Sequence, residues 1–156
     1  MSAAPDQPLL RRTLARMDEA WEPFHRRAKE LPIQKLEQAV EEGSWTRRQM
    51  LGHITTWHEL TTDRLSRFRG SGEPAELSEE TDSINARAAR ASDGRSTGEI
   101  VIAIEDSYRR LRREVARLDD AALAAHDGWA AAVIAGNSFD HYAEHLEELT
   151  APGGGR

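Results

Sequence analysis

The spacing of the apolar residues is the feature that most limits how this chain can fold. Apolar side chains recur at alternating intervals of three and four residues, which places them on one face of a helix. Four long segments show the pattern, and nothing resembles the alternation of a strand. We therefore predict an all-α protein, a four-helix bundle. The stripes are Leu10, Leu14, Met17, Trp21, Phe24, Ala28 and Leu31; Met50, Ile54, Trp57, Thr61, Leu65 and Phe68; Val101, Ile104, Tyr108, Leu111, Val115 and Leu118; and Phe139, Tyr142, Leu146 and Leu149.

Punctuating residues set the expected ends of these helices. Proline removes a backbone donor, so Pro23 predicts a kink or restart in the first helix. The second long helix should begin near Trp45, capped by Ser44 or Thr46, and stop at Gly70. Asn137 or Ser138 should cap the last helix. The other expected elements are short helices in the connections at 33–42 and 79–91, the third long helix over 97–118, and a short connection around Leu123. The pattern does not decide the secondary structure of the alanine-rich stretch 128–136.

The length of 156 residues fits a single domain, which we expect over 9–150, between a flexible N-terminus, 1–8, and a disordered tail, 151–156. Large aliphatic residues are sparse, so alanine must provide much of the packing. The chain has no cysteine. This excludes disulfides, thiolate metal ligands and a cysteine nucleophile. Any bound metal must therefore rest on histidines and carboxylates.

Charge and hydropathy narrow the expected partners. The net charge is −6 and the acidity is spread along the chain. A cluster of arginines in the third long helix lies off its apolar stripe, and Glu105 and Asp106 precede it by one turn, which favours a solvated face. The longest small apolar run, 129–136, is too short to span a bilayer. We expect a cytoplasmic protein with neither nucleic acid nor membrane as a partner. The arginines are Arg109, Arg110, Arg112, Arg113 and Arg117.

His141 and His145 form an HxxxH motif on the last helix. Residues four apart lie on the same helical face, so both imidazoles could reach one divalent ion. Two half-buried histidines with ordinary hydrogen bonds would give the same spacing. In helical projection His53 and His58 both border the stripe of the second helix. Either could be a third ligand, and the projection does not choose between them.

Three segments resemble one known group of proteins. They are SWTRRQMLGHITTWHEL (44–60), DSINARAAR (82–90) and SFDHYAEHLEEL (138–149). In this order they are similar to the second helix, the following link and the last helix of the DinB-like four-helix superfamily. That superfamily includes metal-dependent thiol transferases, such as bacillithiol transferases and mycothiol-dependent maleylpyruvate isomerases, and many members of unknown activity.

The resemblance implies a ligand set. One histidine of the second helix and two of the last bind a divalent metal in that family. Matched residue by residue, these are His53, His141 and His145, which favours His53 over His58. Asn85 matches the family pattern without an evident role.

Four further residues are candidates for a substrate pocket or for contacts that orient the ligands. Each has an ordinary structural alternative: a core tryptophan, a helix cap, or a solvated carboxylate. His25 and His126 have no partner at a useful spacing and are interpreted as packing or surface residues. The four candidates are Trp57, Asn137, Asp140 and Glu144.

The resemblance suggests a divalent-metal-dependent enzyme, a thiol transferase or a hydrolase, acting on a small electrophilic molecule. We expect zinc or nickel as the metal, a low-molecular-weight thiol as possible co-substrate, a homodimer and a role in stress. The alternatives are a non-catalytic bundle that sequesters a small ligand or metal, and a purely structural bundle that dimerises.

Overall fold

The computed structural model describes residues 6–151, so most of the predicted flexible N-terminus and of the predicted tail lies outside the described residues. Within this range the fold is all-α, a four-helix bundle with short extra helices, as predicted. No strand is present in the part described, apart from one isolated bridge between Ala39 and Thr46. The helices are α1 (Pro8–Glu30), α2 (Ile33–Leu36), α3 (Arg47–Ser71), α4 (Thr81–Asp93), α5 (Thr97–Ala116), α6 (Asp120–Asn137) and α7 (Phe139–Thr150).

The predicted stripes form the core. Helix α3 packs against α5 and α4, and α1 packs against α7 and α5. Met17, Phe24, Ile54 and Leu111 are fully buried. The ring of Trp21 stacks on Tyr108 at a centroid distance of 4.2 Å. Aromatic stacking of this kind supplies contact area that the sparse aliphatic residues do not.

Capping groups determine where α3 begins and ends. The Thr46 hydroxyl accepts from the backbone N–H of Gln49, and the Gln49 side chain accepts from the backbone N–H of Thr46, which is a capping box. Thr46, and not Ser44, is therefore the N-cap. The helix continues through the predicted stop at Gly70 and ends at Gly72, whose φ of 76° favours glycine.

The structure lacks the restart expected at Pro23 and the connection expected around Leu123. Helix α1 continues through Pro23 without a restart. Both Pro23 and Glu19, whose carbonyl loses its donor, are exposed, so water can satisfy that carbonyl. The break falls instead in α6, where the backbone leaves helical geometry from Ala125 to Gly128. Residues on both sides of this interruption, including Leu123 and most of the stretch 128–136, are helical.

A buried arginine joins the helix ends near one end of the bundle. Arg47, the first residue of α3, is 1% exposed. Its guanidinium donates to the carbonyls of Glu148 and Ala151 at the end of α7, at 3.2 and 2.8 Å. It also donates to the carbonyls of Lys35 and Gln38, at 3.2 and 3.5 Å. These bonds hold the start of α3 beside the end of α7.

The described helices include none that is both long and apolar enough to cross a membrane.

Helices α3 and α4 approach each other closely at Gly52. A Cβ atom at this position would lie 1.8 Å from Ser92 Oγ and 3.0 Å from Ser92 Cβ. The Ser92 hydroxyl donates to the Ala88 carbonyl, so it is also held in place. We expect Gly52→Ala to lower the free energy of unfolding by about 1–3 kcal/mol, the usual cost of overpacking.

The matched control is Gly70→Ala in the same helix, where an added Cβ meets nothing within 4 Å. It should be neutral or stabilising by up to about 1 kcal/mol, because alanine is the better helix former. Urea denaturation of the three proteins measures both effects. Equal losses in the two variants would contradict the close approach at Gly52.

Candidate metal centre

Three histidines from two helices meet at one end of the bundle. His53 lies in the second turn of α3, and His141 and His145 lie on successive turns of α7. The Nε2 atoms of His53 and His141 are 3.0 Å apart. One ring nitrogen from each of the three residues lies within 4.8 Å of the others. A tetrahedral zinc ion with Zn–N bonds near 2.0–2.1 Å requires N···N separations of about 3.3 Å, so small adjustments would complete such a site.

Burial keeps the two closest imidazoles neutral. It lowers the pKa of His53 to about 4, and the neighbouring His145 adds to the effect. Burial also lowers the pKa of His141 to about 3, together with His145, His53 and His58. A neutral imidazole offers the lone pair that a metal needs. The pair is therefore ready to coordinate a cation at neutral pH.

The cluster leaves buried nitrogens without partners. The Nδ1 atoms of His53 and His141 are buried and have no hydrogen-bond partner in the described structure. Buried polar atoms in native proteins are nearly always paired, so such atoms call for an explanation. The Nδ1 atom of His145 also makes no hydrogen bond among the described residues, although it lies 3.2 Å from Oε2 of Glu148. The donor set of three imidazoles fits a divalent metal.

An open groove of about 370 Å³ leads to the three histidines. Trp45 forms one wall, with its ring 5.0 Å from that of His53. Trp57 lies on the other side of His53 at a centroid distance of 6.5 Å. The groove has room for a small organic molecule beside the histidines. Its lining residues are Trp45, Trp57, Thr81, Asn85, Gly136, Asn137 and Glu144 with the three histidines.

Three of the four further candidates line this groove, namely Trp57, Asn137 and Glu144. Asn137 is the last residue of α6, and its Nδ2 donates to the Val133 carbonyl at 2.9 Å. The fourth, Asp140, is exposed in the first turn of α7 and is not among the lining residues. A carboxylate there complements the positive end of the helix dipole.

His58 lies in the core and not at the cluster. It is fully buried, and burial lowers its pKa to about 3. Its Nδ1 lies 2.8 Å from Ser107 Oγ, and its Nε2 lies beside the Tyr142 hydroxyl. Since Ser107 donates to the Ile104 carbonyl, His58 Nδ1–H is the donor to Ser107 and its Nε2 accepts from Tyr142. Both nitrogens of His58 are used, so none is left for a metal.

The two remaining histidines also have structural contacts. His25 Nε2 lies 2.7 Å from Glu105, and its ring stacks on Trp21. His126 donates to the Gly72 carbonyl at 2.8 Å, which connects the break in α6 to the end of α3.

Sequence reasoning missed Trp45 as a wall of the groove and left Asn85 without a role. Trp45 directly precedes the Thr46 cap, so its place at the start of α3 could have been found from the sequence. Asn85 accepts a hydrogen bond from Trp57 Nε1 at 2.8 Å. That contact depends on how α4 packs on α3, which no single-helix pattern reveals.

The comparisons with known proteins agree with this fold and assign the family. The model of the DinB superfamily matches residues 16–148. The chain belongs to the DinB superfamily. Among solved structures, the chain is similar to the colibactin self-resistance protein ClbS in complex with a dsDNA. The TM-score is 0.75 at 12% sequence identity, and the match covers 94% of this chain and 95% of that chain. No curated protein sequence matches this chain.

The ClbS structure corrects one prediction. We expected no nucleic-acid partner, and that expectation was wrong, because a protein of this fold is in complex with double-stranded DNA. Net charge was a poor guide, since local basic groups make phosphate contacts. Ion pairing was also a poor guide. Four of the five arginines of the cluster pair with carboxylates, but pairs between exposed side chains contribute only about 0–1 kcal/mol, so such pairing does not exclude another partner.

The low pKa values of His53 and His141 predict how stability depends on pH. A histidine in the unfolded chain titrates near 6.5, well above the folded values of about 4 and about 3. The unfolded chain therefore binds more protons, and the free energy of unfolding should fall as pH falls from about 6.5 towards 4. At about pH 5 the loss should reach up to about 2 kcal/mol for each histidine.

Urea denaturation with a chelator present, at about pH 7 and about pH 5, compares the wild type with a His53→Asn, His141→Asn variant. Carboxylates titrate in both proteins, so the difference between them isolates the two imidazoles. The variant should lose less stability on acidification. Equal losses in the two proteins would show that these imidazoles are not held neutral.

Proposed function

We propose that this chain is a divalent-metal-dependent enzyme that transfers a low-molecular-weight thiol to a small electrophilic molecule, with hydrolysis of such a molecule as the sister reaction. One observation supports the proposal most directly: three histidine side chains, with ring nitrogens within 4.8 Å of one another, at an open groove. Three protein ligands leave a coordination position for substrate, as in catalytic zinc sites.

Each part of the site would have a distinct task. His53, His141 and His145 would hold the metal, zinc or nickel, through neutral imidazoles. When bound, the metal supplies a positive charge that lowers the pKa of a coordinated thiol or water towards neutrality. Trp45 and Trp57 would pack against the apolar part of the electrophile, and Asn137 and Glu144 offer it polar contacts.

The chemistry requires a sulfur from outside the protein. Because the chain has no cysteine, the thiol must arrive as a co-substrate. Its sulfur would form a bond to the electrophilic carbon, while the leaving group departs with the bonding electrons and the thiol proton passes to water. The expected homodimer and stress role belong to the same proposal.

Metal binding is the first test. Protein purified without a nickel column should bind one zinc or cobalt ion per chain, measured by titration calorimetry and elemental analysis. The His53→Ala, His141→Ala variant should lose this site, because one imidazole is too few for a stable complex. His25→Gln is the matched control, since His25 pairs with Glu105 away from the cluster. Equal, weak binding by all three proteins would refute the site.

Turnover is the second test. Metal-loaded protein is screened with bacillithiol, mycothiol and glutathione against a panel of electrophiles, and loss of free thiol is followed. We expect turnover that a chelator abolishes and added metal restores. Since ClbS is in complex with dsDNA, the screen includes duplex DNA as a ligand, measured by gel shift. Tight metal binding with no turnover for any thiol or for water would favour the non-catalytic alternative.

A further inference from the structure

Asn85 and Trp57 form a defined pair at the wall of the groove. Trp57, on α3, donates its indole N–H to Asn85 Oδ1, on α4, at 2.8 Å. An indole nitrogen can only donate, so this bond fixes which end of the carboxamide faces Trp57. Trp57 is only 7% exposed and Asn85 is half-buried, so the bond is well shielded from water.

The same carboxamide lies next to His53. His53 and Trp57 are one turn apart on α3, and both line the groove with Asn85. Asn85 is close enough to favour the charged form of His53, which opposes the lowering of its pKa by burial. Meanwhile the Nδ1 atom of His53 is buried and has no hydrogen-bond partner. The Asn85 oxygen is thus an acceptor at the same wall of the groove as this unpaired nitrogen.

We propose that Asn85 is a positioning residue of the metal centre: its Oδ1, held by Trp57, accepts the Nδ1–H of His53 and so turns Nε2 towards the metal. The inference rests on the proposed function and deepens it. Ligating histidines commonly donate their other N–H to an oxygen, which fixes the tautomer and the ring orientation. Asn85 would give His53 that oxygen, as Glu148 lies near Nδ1 of His145.

The short distance within the cluster agrees with this assignment. The Nε2 atoms of His53 and His141 are 3.0 Å apart, so in a hydrogen bond between them one of the two carries the proton. With its proton on Nδ1, His53 accepts at Nε2 and His141 donates. The Nδ1 of His141 is then an acceptor, and no donor reaches it among the described residues.

Metal affinity gives the first readout. We expect Asn85→Ala to weaken zinc binding by about 10-fold to 100-fold, the usual effect of removing such a partner. Asn85→Asp keeps an oxygen at the same place and should restore most of the affinity. Trp57→Phe keeps an aromatic ring but removes the indole N–H, and should give an intermediate loss of zinc affinity. Arg90→Ala, on the exposed side of the same helix, is the control. Wild-type zinc affinity in Asn85→Ala overturns the proposal.

The histidine tautomer gives a second readout that needs no metal. In the chelator-treated protein, nitrogen NMR of labelled histidine should show the His53 proton on Nδ1 in the wild type and in Asn85→Asp. Asn85→Ala should shift the proton towards Nε2, and circular dichroism checks that the variant is folded. If the wild type binds no zinc, the proposed function fails and this readout alone decides the role of Asn85. An unchanged tautomer in Asn85→Ala overturns that role.

Discussion

The geometry of the histidine cluster depends on the buried guanidinium of Arg47. Among residues 6–151 this cation has no carboxylate partner; its hydrogen bonds go to carbonyls at or just beyond the ends of α2 and α7. Carbonyls at helix C-termini carry partial negative charge, and bonds from a charged donor are the stronger kind. Because α3 begins at this residue, the bonds determine the position of α3 along the axis of α7. His53 lies within two turns of Arg47, and His145 lies about one turn before Glu148. The hydrogen bonds of Arg47 therefore also align His53 with the histidines of α7.

The protein uses buried histidines in two different ways, and their hydrogen bonds differ. His58 is neutral and fully buried, but Tyr142 and Ser107 occupy both of its nitrogens. His53 and His141 are also neutral, yet each keeps a buried nitrogen without a partner. A low pKa alone would not separate the core residue from the candidate ligands. What separates them is position: ring nitrogens of His53, His141 and His145 lie within 4.8 Å of one another at an open groove, and His58 is not part of that group.

Features that depend on the pattern within a single helix could be predicted from the sequence. Periodicity identified the bundle and its core stripes, and the HxxxH spacing placed His141 beside His145. Choosing between His53 and His58 needed the packing of α3 between its neighbours, which helical projection does not contain; only the family resemblance favoured His53. The interruption of α6 was equally hidden, because His126 and Asp127 adopt φ values of 52° and 55°, which are uncommon for any residue other than glycine, although His and Asp adopt them more often than most. Gly128 was its one local hint.

The core stripes and the hydrogen bonds of Arg47 hold α3 beside α7, the two helices that carry the three histidines. A hydrophobic core of this kind supplies folding free energy of its own. Zinc fingers differ, since in them the metal supplies the energy of folding. Under the proposed function, folding and metal loading are therefore separate events. The amount of active enzyme would then depend on the supply of metal to chains that are already folded. When metal is scarce, the apoprotein would stay folded and could bind metal again later.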